Sequence, residues 1–481
     1  MDAAVKPNLL FIFTDQQRLD TIECYGNDQI ETPALNALAD ESFVFEHAYV
    51  SQPVCSPSRA TMLCGLYPHT ARVPACNVSL PQDVKTIAEL VTNDYRCAYI
   101  GKWHLGDEIF PQHGFTEWIG TEDSYRQFFS SSEQHQHLSD YHHFLVAQGI
   151  EPDSKSFGQR IFSRYLQASQ KEELTKASFQ GDRAAQFIRE SVDQPFMLVV
   201  SYLEPHPPHT GPLNDYYDPW KLPVSSNFRL KPPANASLLN RVLSAYYMES
   251  QEEGYDLRTE EGWLRIRGRY WGNVTLVDHS VVKILQALEE SGKADETIVV
   301  FTSDHGEMVG DHGILGKTVL YEESVKVPLL IRVPWLGRHQ RRIGGNLGHI
   351  DLVPTLLDLM GQVVPDYLQG QSRVDVLNGQ TTLSGNDVFI QWNRSDGHPR
   401  PGEGGVNPAM STPWRSIVSA DRWKLNLSVQ DQCELYDLNA DPYENLNLFD
   451  EPEQRGRVQD MTDRIRVWQI QTGDRTPLPE I

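Results

Sequence analysis

Cysteine is scarce. The 481 residues hold six, at positions 24, 55, 64, 76, 97 and 433, and none forms a C-x-x-C pair. That spacing excludes a disulfide framework and a structural zinc site. Positive charge is in deficit as well. Lys and Arg total 42 against 65 Asp and Glu, a formal net charge of −23. Nucleic acid and anionic membranes need a basic face, so neither is an expected partner. A local basic pocket for a small anionic group remains compatible with the overall sign. No apolar run reaches membrane-spanning length. Residues 1–15 lack the form of a secretory leader, because their apolar stretch is short and runs straight into polar residues. The chain as read is expected to be cytoplasmic, or periplasmic or secreted if a leader has been removed. The N-x-S/T triplets at Asn235 and Asn273 arise readily by chance and decide nothing.

What is present is an alternation of short apolar runs with longer helical ones. Asn8–Thr14, Arg96–Ile100, Phe196–Ser201, Thr297–Thr302 and Leu329–Val333 read as buried strands. Thr32–Asp40, Lys85–Thr92, Asp182–Ser191 and Tyr270–Ser291 carry helical spacing. This order predicts an α/β fold, a mostly parallel sheet with helices on both faces. After about residue 375 the pattern changes to short alternating runs at Val388–Trp392, Arg415–Ser419, Trp423–Leu427 and Glu434–Asp437, then a final helix near Pro452–Gln469. The expected division is a large domain over 1–377 and a smaller α+β unit over 378–481 with a short antiparallel sheet. The polar stretch Asn378–Asn386 serves as linker. His206–Ala234, rich in Pro and Asn, reads as a long surface loop.

Four strands end in chemistry-bearing residues. The first ends in Asp15-Gln16, the second in Gly101-Lys102-Trp103-His104, the third in Glu204-Pro205-His206 and the fourth in Asp304-His305-Gly306. Ligand sites in open α/β sheets lie outside the carboxyl ends of the strands. The four sets are therefore expected at one edge.

The segment Cys55-Ser56-Pro57-Ser58-Arg59 fits C-x-P-x-R and continues as Ala60-Thr61-Met62-Leu63-Cys64-Gly65. Further blocks follow in order: Gly101-Lys102-Trp103-His104-Leu105-Gly106, Thr302-Ser303-Asp304-His305-Gly306-Glu307, Gly310-Asp311-His312-Gly313, Lys317, and Glu434-Leu435-Tyr436-Asp437-Leu438 with Asp441-Pro442 and Glu444. Together they resemble the sulfatase family of the alkaline-phosphatase-like superfamily, over about Pro7 to Leu448. Cys64 departs from the family's usual small residue, with the oxidised position, its Pro and its Arg intact.

The resemblance implies that a maturation enzyme oxidises Cys55 to formylglycine, whose hydrate attacks sulfur. The alcohol then leaves, and the second hydroxyl expels sulfate. A nearby cation would stabilise the ionised nucleophile. Asp15, Gln16, Asp304 and His305, with residue 55 itself, are the expected metal set. Oxygen donors with one imidazole suit Ca²⁺, Mg²⁺ or Mn²⁺. Family resemblance puts Ca²⁺ first. By the same resemblance, Arg59 and Lys102 would hold the formylglycine oxygens, and His104 would assist release of sulfate. His206 and Lys317 would bind the sulfate and help protonate the leaving oxygen, with His209 as an alternative to His206. Donors fixed where charge builds up are the main source of rate.

Asn77 and Arg72 are weaker candidates for substrate contact, with His69 nearby. His135, His137, His142 and His143 are expected to lie on a polar helix face or loop rather than to bind metal. The expected substrate is a sulfated small molecule or saccharide. Trp220, Tyr216 and Tyr217 in the long loops are candidates to stack on a sugar. A phosphonate or phosphate ester hydrolase of the same superfamily is the alternative, and a non-catalytic homologue a more distant one. Lys102-x-His104 favours the sulfatase. Oligomeric state is not legible.

Overall fold

Strand β1, Asn8–Asp15, is buried at every position, as a strand covered on both faces must be. Leu9, Phe11 and Phe13 join one apolar cluster, and Leu10 and Ile12 join another. Alternate side chains of a strand point to opposite faces, so one sheet separates the two clusters. The computed structural model describes residues 6–191, 194–393 and 406–481.

The other strands of this sheet are β2 (Phe43–Tyr49), β3 (Arg96–Gly101), β4 (Glu117–Gly120), β5 (Phe196–Pro205), β6 (Thr297–Ser303), β7 (Lys326–Val327), β8 (Leu329–Arg332) and β9 (Arg341–Gly348). Their spatial order is β7-β2-β8-β6-β1-β5-β3-β4, with β9 also on β2. From β6 to β4 all pairings are parallel. The ends of β1, β3, β5 and β6 therefore open on the same side. β8 runs antiparallel to β6, which makes the sheet mixed but mostly parallel.

Helix α1 (Pro33–Asp40), α3 (Lys176–Glu190) and α4 (Glu260–Glu290) cover one face through residues such as Leu38, Ile188 and Val281. On the other face lie α2 (Cys55–Cys64) and α5 (Leu352–Leu359), through Met62 and Leu356. The result is an α/β/α sandwich. A separate antiparallel sheet follows, β10 (Val388–Trp392), β11 (Trp414–Val418), β12 (Trp423–Leu427) and β13 (Glu434–Asp437). Helix α6 (Arg455–Thr472) closes its core with Met461, Ile465 and Trp468. Among the described residues no helix is long and apolar enough to cross a membrane.

Several elements differ from the sequence pattern. Lys85–Thr92 forms only a 3₁₀ turn at Ile87–Glu89. Thr86 donates its N–H to Glu89 Oε2 and its hydroxyl to the His113 carbonyl, which tethers the segment to the next loop. Helix α4 begins ten residues before the pattern suggests, because Gly262, Gly268 and Gly272 dilute the helical signal. Close packing requires at least one of them: a Cβ at Gly272 would stand 2.5 Å from the Leu213 carbonyl oxygen. Strands β2 and β9 went unread. β2 carries Glu46 and His47 in its middle and β9 three glycines, which mask the alternation.

Candidate active site

Helix α2 places Cys55 in its first turn, with every residue from Cys55 to Cys64 buried. The positive end of the helix thus lies at the Cys55 side chain. Gly65 ends the helix in the left-handed conformation, φ 66°, where glycine is favoured.

Around Cys55 Sγ stand His305 Nε2 at 3.3 Å, Asp15 Oδ1 at 3.7 Å and Lys102 Nζ at 3.8 Å. Asp15, Cys55, Asp304 and His305 each offer one ligand atom within 4.8 Å of the others, all buried. His305 Nδ1 lies 3.0 Å from the Gly306 carbonyl. A carbonyl only accepts, so Nδ1 carries a proton and Nε2 is the ring nitrogen turned to the group.

Arg59 ties the strand ends together. Its Nε donates to Asp304 Oδ2 at 2.8 Å and its Nη2 to Asp15 Oδ2 at 2.9 Å. Its Nη1 reaches the Lys102 carbonyl at 2.7 Å and Ser201 Oγ at 2.8 Å. These donors serve β1, β3, β5 and β6, so Arg59 spans the site beneath Cys55. Lys102 Nζ donates to Asp15 Oδ2 at 2.5 Å.

The electrostatics follow from this crowding. Burial and Cys55 push Asp15 up, but Lys102, His206 and Arg59 outweigh them and hold its carboxyl well below the usual range. Burial and then the neighbouring Asp15 push Asp304 up. A hydrogen bond from Cys76, then the charges of Lys102, Lys317 and His305, hold the Cys55 thiol well below its ordinary value against burial. Two enclosed carboxylates, a directed imidazole and a nucleophilic position make a donor set that fits a hard divalent cation.

Gln16 borders this group. Its left-handed backbone, φ 72°, sends its N–H to Asp304 Oδ1 at 3.0 Å. Its amide oxygen accepts from Lys317, and its amide nitrogen donates to Glu307. The neighbouring Gln17 turns away, to Thr21 Oγ1 at 3.1 Å.

His104 adopts φ 57°, and its Nε2 sits 2.8 Å from Asn77 Oδ1. Tyr125 stacks on the imidazole with centroids 4.0 Å apart. Burial, then the Lys102 charge, lowers His104 to about 4. Glu108 holds the turn, accepting from the N–H groups of Trp103 and His104 at 2.7 Å each.

His206 and Lys317 line a cavity of about 340 Å³ together with Gln16. Burial, then Lys317, lowers His206 to about 3. His209 is not its equivalent: it is fully buried and pairs through Nδ1 with Glu253 Oε1 at 3.0 Å.

The remaining candidates separate. Asn77 belongs to the site through His104, whereas Arg72 is half exposed and pairs with Asp83. His69 bridges Gln391 and the Thr472 carbonyl. His312 stacks on Tyr321 at 3.9 Å. None of His135, His137, His142 and His143 enters a metal-ligating group among the described residues. His135 lies on Phe157 and His137 against Phe110. Tyr217 packs on Trp271 and bonds Thr275, and Trp220 is 63% exposed. The aromatics lining the cavity are instead Tyr246 and Tyr247. Sequence reading missed Ser201, Glu108, Tyr125, Cys76 and Glu307. Glu307 had a signal in the block that begins at Thr302, and Glu108 had one as a carboxylate two residues after Gly106.

Residues 7–362 match the family model described as Sulfatase. The chain belongs to the sulfatase family. Sulfatases are sulfuric ester hydrolases, and this one also matches the model for the C-terminal region of N-sulphoglucosamine sulphohydrolase, over residues 310–471. This sulfatase is 28% identical to an arylsulfatase of Clostridium perfringens, over 94% of this chain and 92% of that one. It is 26% identical to the N-acetylglucosamine-6-O-sulfatase of Bacteroides thetaiotaomicron, over 98% and 88%. A crystal structure of a phosphonate monoester hydrolase from Agrobacterium radiobacter superimposes with a TM-score of 0.75 at 24% identity, covering 97% of this chain and 96% of that one. That likeness is one of fold.

Proposed function

We propose that this sulfatase hydrolyses a carbohydrate sulfate ester through formylglycine at position 55 and a divalent metal, Ca²⁺ first. The observation that carries the reading is the convergence of Lys102 Nζ and His305 Nε2 on Cys55 Sγ inside a buried set of ligand atoms. Sγ stands where the hydroxyl oxygens of the hydrated formylglycine would lie. The hydrated aldehyde would supply the oxygen nucleophile, and Asp15, Asp304, His305 and Gln16 would hold a cation able to offset its charge.

The chain's own residues do the rest. Lys102 Nζ is placed to donate to the oxygen at position 55. Arg59 keeps the two carboxylates facing inward and is a positioning residue. His104, lowered to about 4, is neutral at pH 7 and able to take the proton released from the position-55 hydroxyl when sulfate departs. His206 and Lys317, on the cavity side, donate to sulfate oxygens, and Lys317, which stays cationic, supplies the proton to the leaving alcohol. The saccharide assignment rests on the similarity to an N-acetylglucosamine-6-O-sulfatase and on a cavity of about 340 Å³, the small end of the ligand-pocket range.

Residues 55–64 are buried in the folded chain, so a maturation enzyme has to act before folding closes over Cys55. The second reading is phosphonate ester hydrolysis, favoured by the fold shared with the phosphonate monoester hydrolase. Relative kcat/KM on 4-nitrophenyl sulfate, glucosamine and N-acetylglucosamine sulfates and 4-nitrophenyl phenylphosphonate separates the two. A sulfate ester should be turned over fastest. A phosphonate turned over faster than every sulfate tested would replace this reading by the second.

A further inference from the structure

Glu307 is fully buried beside the four ligand residues and stands outside their group. Its side chain accepts from three N–H donors. Oε1 takes the N–H of Val309 at 3.1 Å and that of Gly316, and Oε2 takes the Gln16 amide nitrogen. At the other end of the same amide, Lys317 Nζ meets the Gln16 oxygen. An ammonium only donates and a carboxylate only accepts. The amide between them therefore has one orientation, nitrogen to Glu307 and oxygen to Lys317. That oxygen is also the one atom of the side chain able to face a hard cation. The Gln16 backbone is set separately, by φ 72° and by its N–H on Asp304 Oδ1 at 3.0 Å. Amide rotation is what Glu307 governs. Glu307 acts on Lys317 as well. Gly316, the residue before it, gives its N–H to Glu307 and accepts the Met308 N–H at 2.8 Å. The main chain of Glu307 is itself fixed: its N–H donates to the Glu323 carbonyl at 2.9 Å, and its carbonyl accepts from Arg18 Nη1 at 2.9 Å.

Resting on the sulfatase reading, we propose that Glu307 is a positioning residue: by holding the Gln16 amide nitrogen and the Gly316 N–H, it turns the Gln16 oxygen towards the cation and seats Lys317 at the sulfate. It touches neither cation nor substrate. Its loss frees the Gln16 amide to turn its NH₂ inward, where a cation repels it, and loosens the turn that carries Lys317. Groups that orient metal ligands from outside typically govern about 10–100-fold in affinity. The isostere cannot replace the carboxylate. Glu307→Gln has one oxygen and one NH₂, so one end must point a donor at a donor, either the Gly316 N–H or the Gln16 amide.

The test is a double-mutant cycle on the matured holoenzyme. Ca²⁺ affinity is read by competition with a chelating dye, and kcat and KM on 4-nitrophenyl sulfate alongside. Glu307→Gln should weaken Ca²⁺ binding about tenfold or more, and at saturating Ca²⁺ its KM should stay raised through Lys317. Gln16→Glu should weaken Ca²⁺ binding too, because two carboxylates then face one another. Combining Gln16→Glu with Glu307→Gln restores one donor to one acceptor with the polarity reversed. The double variant should bind Ca²⁺ within about threefold of wild type, a rescue that a merely structural role would not give. Melting curves make the same comparison independently of turnover: the double variant should recover the Ca²⁺-dependent rise in Tm that Glu307→Gln loses. Glu307→Gln with Ca²⁺ affinity and KM within about twofold of wild type, or a double variant no better than Glu307→Gln, overturns the assignment. Loss of the sulfatase reading looks different: the wild-type enzyme itself would leave 4-nitrophenyl sulfate intact.

Discussion

Arg59 and Asp304 form a buried ion pair, Nε to Oδ2 at 2.8 Å with both side chains closed to solvent. The same guanidinium holds Asp15. Removing it leaves two buried carboxylates facing one another, at a cost of about 3–5 kcal/mol. Arg59→Ala should therefore lower stability by about that amount in urea unfolding. It should also lose the metal, read by elemental analysis. A stable, metal-replete Arg59→Ala would show that Arg59 does not organise the site.

Metal removal should destabilise the protein. Binding to the folded state alone adds RT ln(1 + [L]/Kd), about 2.7 kcal/mol at a ligand concentration 100 times Kd. Treatment with a chelator is expected to lower Tm and abolish turnover, and Ca²⁺ to restore both. Identical melting curves with and without chelator would argue against the metal assignment.

Tyr125 supports His104 only through its ring face, at 4.0 Å. Tyr125→Phe should retain activity within a few-fold, and Tyr125→Ala should lower kcat about tenfold or more with a smaller change in KM. Equal losses in both variants would transfer the role to the hydroxyl.

Burial of α2 predicts an order of events. Protein folded with an unmodified Cys55 should resist later conversion by a maturation enzyme, whereas the same chain held unfolded in mild denaturant, or the peptide spanning 50–65, should be converted. Conversion of the folded chain at the peptide's rate would show that the helix opens freely.

The C-terminal tail gives a pH dependence. Arg415 donates to both oxygens of Asp474 at 2.7 Å. Partial burial pushes Asp474 up, but this fork outweighs it and lowers the carboxyl to about 2. A depressed folded value means the stabilisation is complete above the ordinary carboxylate range, near 4, and fades as pH falls towards 2. Asp474→Asn should cost about 1–2 kcal/mol at pH 7, after allowing for solvent screening. The gap from wild type should shrink between pH 4 and pH 3. A gap independent of pH would mean that the charge is not what holds the tail.

Much of the site was legible because it is built from strand ends. Asp15, Lys102, His206 and Asp304 each follow a run of apolar residues that can only be a buried strand, and parallel pairing brings those ends together. The roles of single side chains were less legible. Arg59 was expected to face the nucleophile, yet four of its hydrogen bonds run to Asp15, Asp304, Ser201 and the Lys102 carbonyl, a division that depends on sheet order. Tyr125 comes from a long connection whose placement has no period to read. The strands at one flank, β2 and β9, were hidden because polar and glycine residues interrupt their alternation.

The central claim is that residue 55 is an oxidised cysteine acting as the nucleophile of sulfate ester hydrolysis. Mass analysis of the residue-55 peptide from active enzyme tests it most directly, read beside sulfate release. The account predicts a peptide about 18 Da lighter than the cysteine form, on the thiol-to-aldehyde difference, in proportion to specific activity, and no turnover in Cys55→Ala. Full activity in a preparation whose Cys55 carries only its thiol would contradict it.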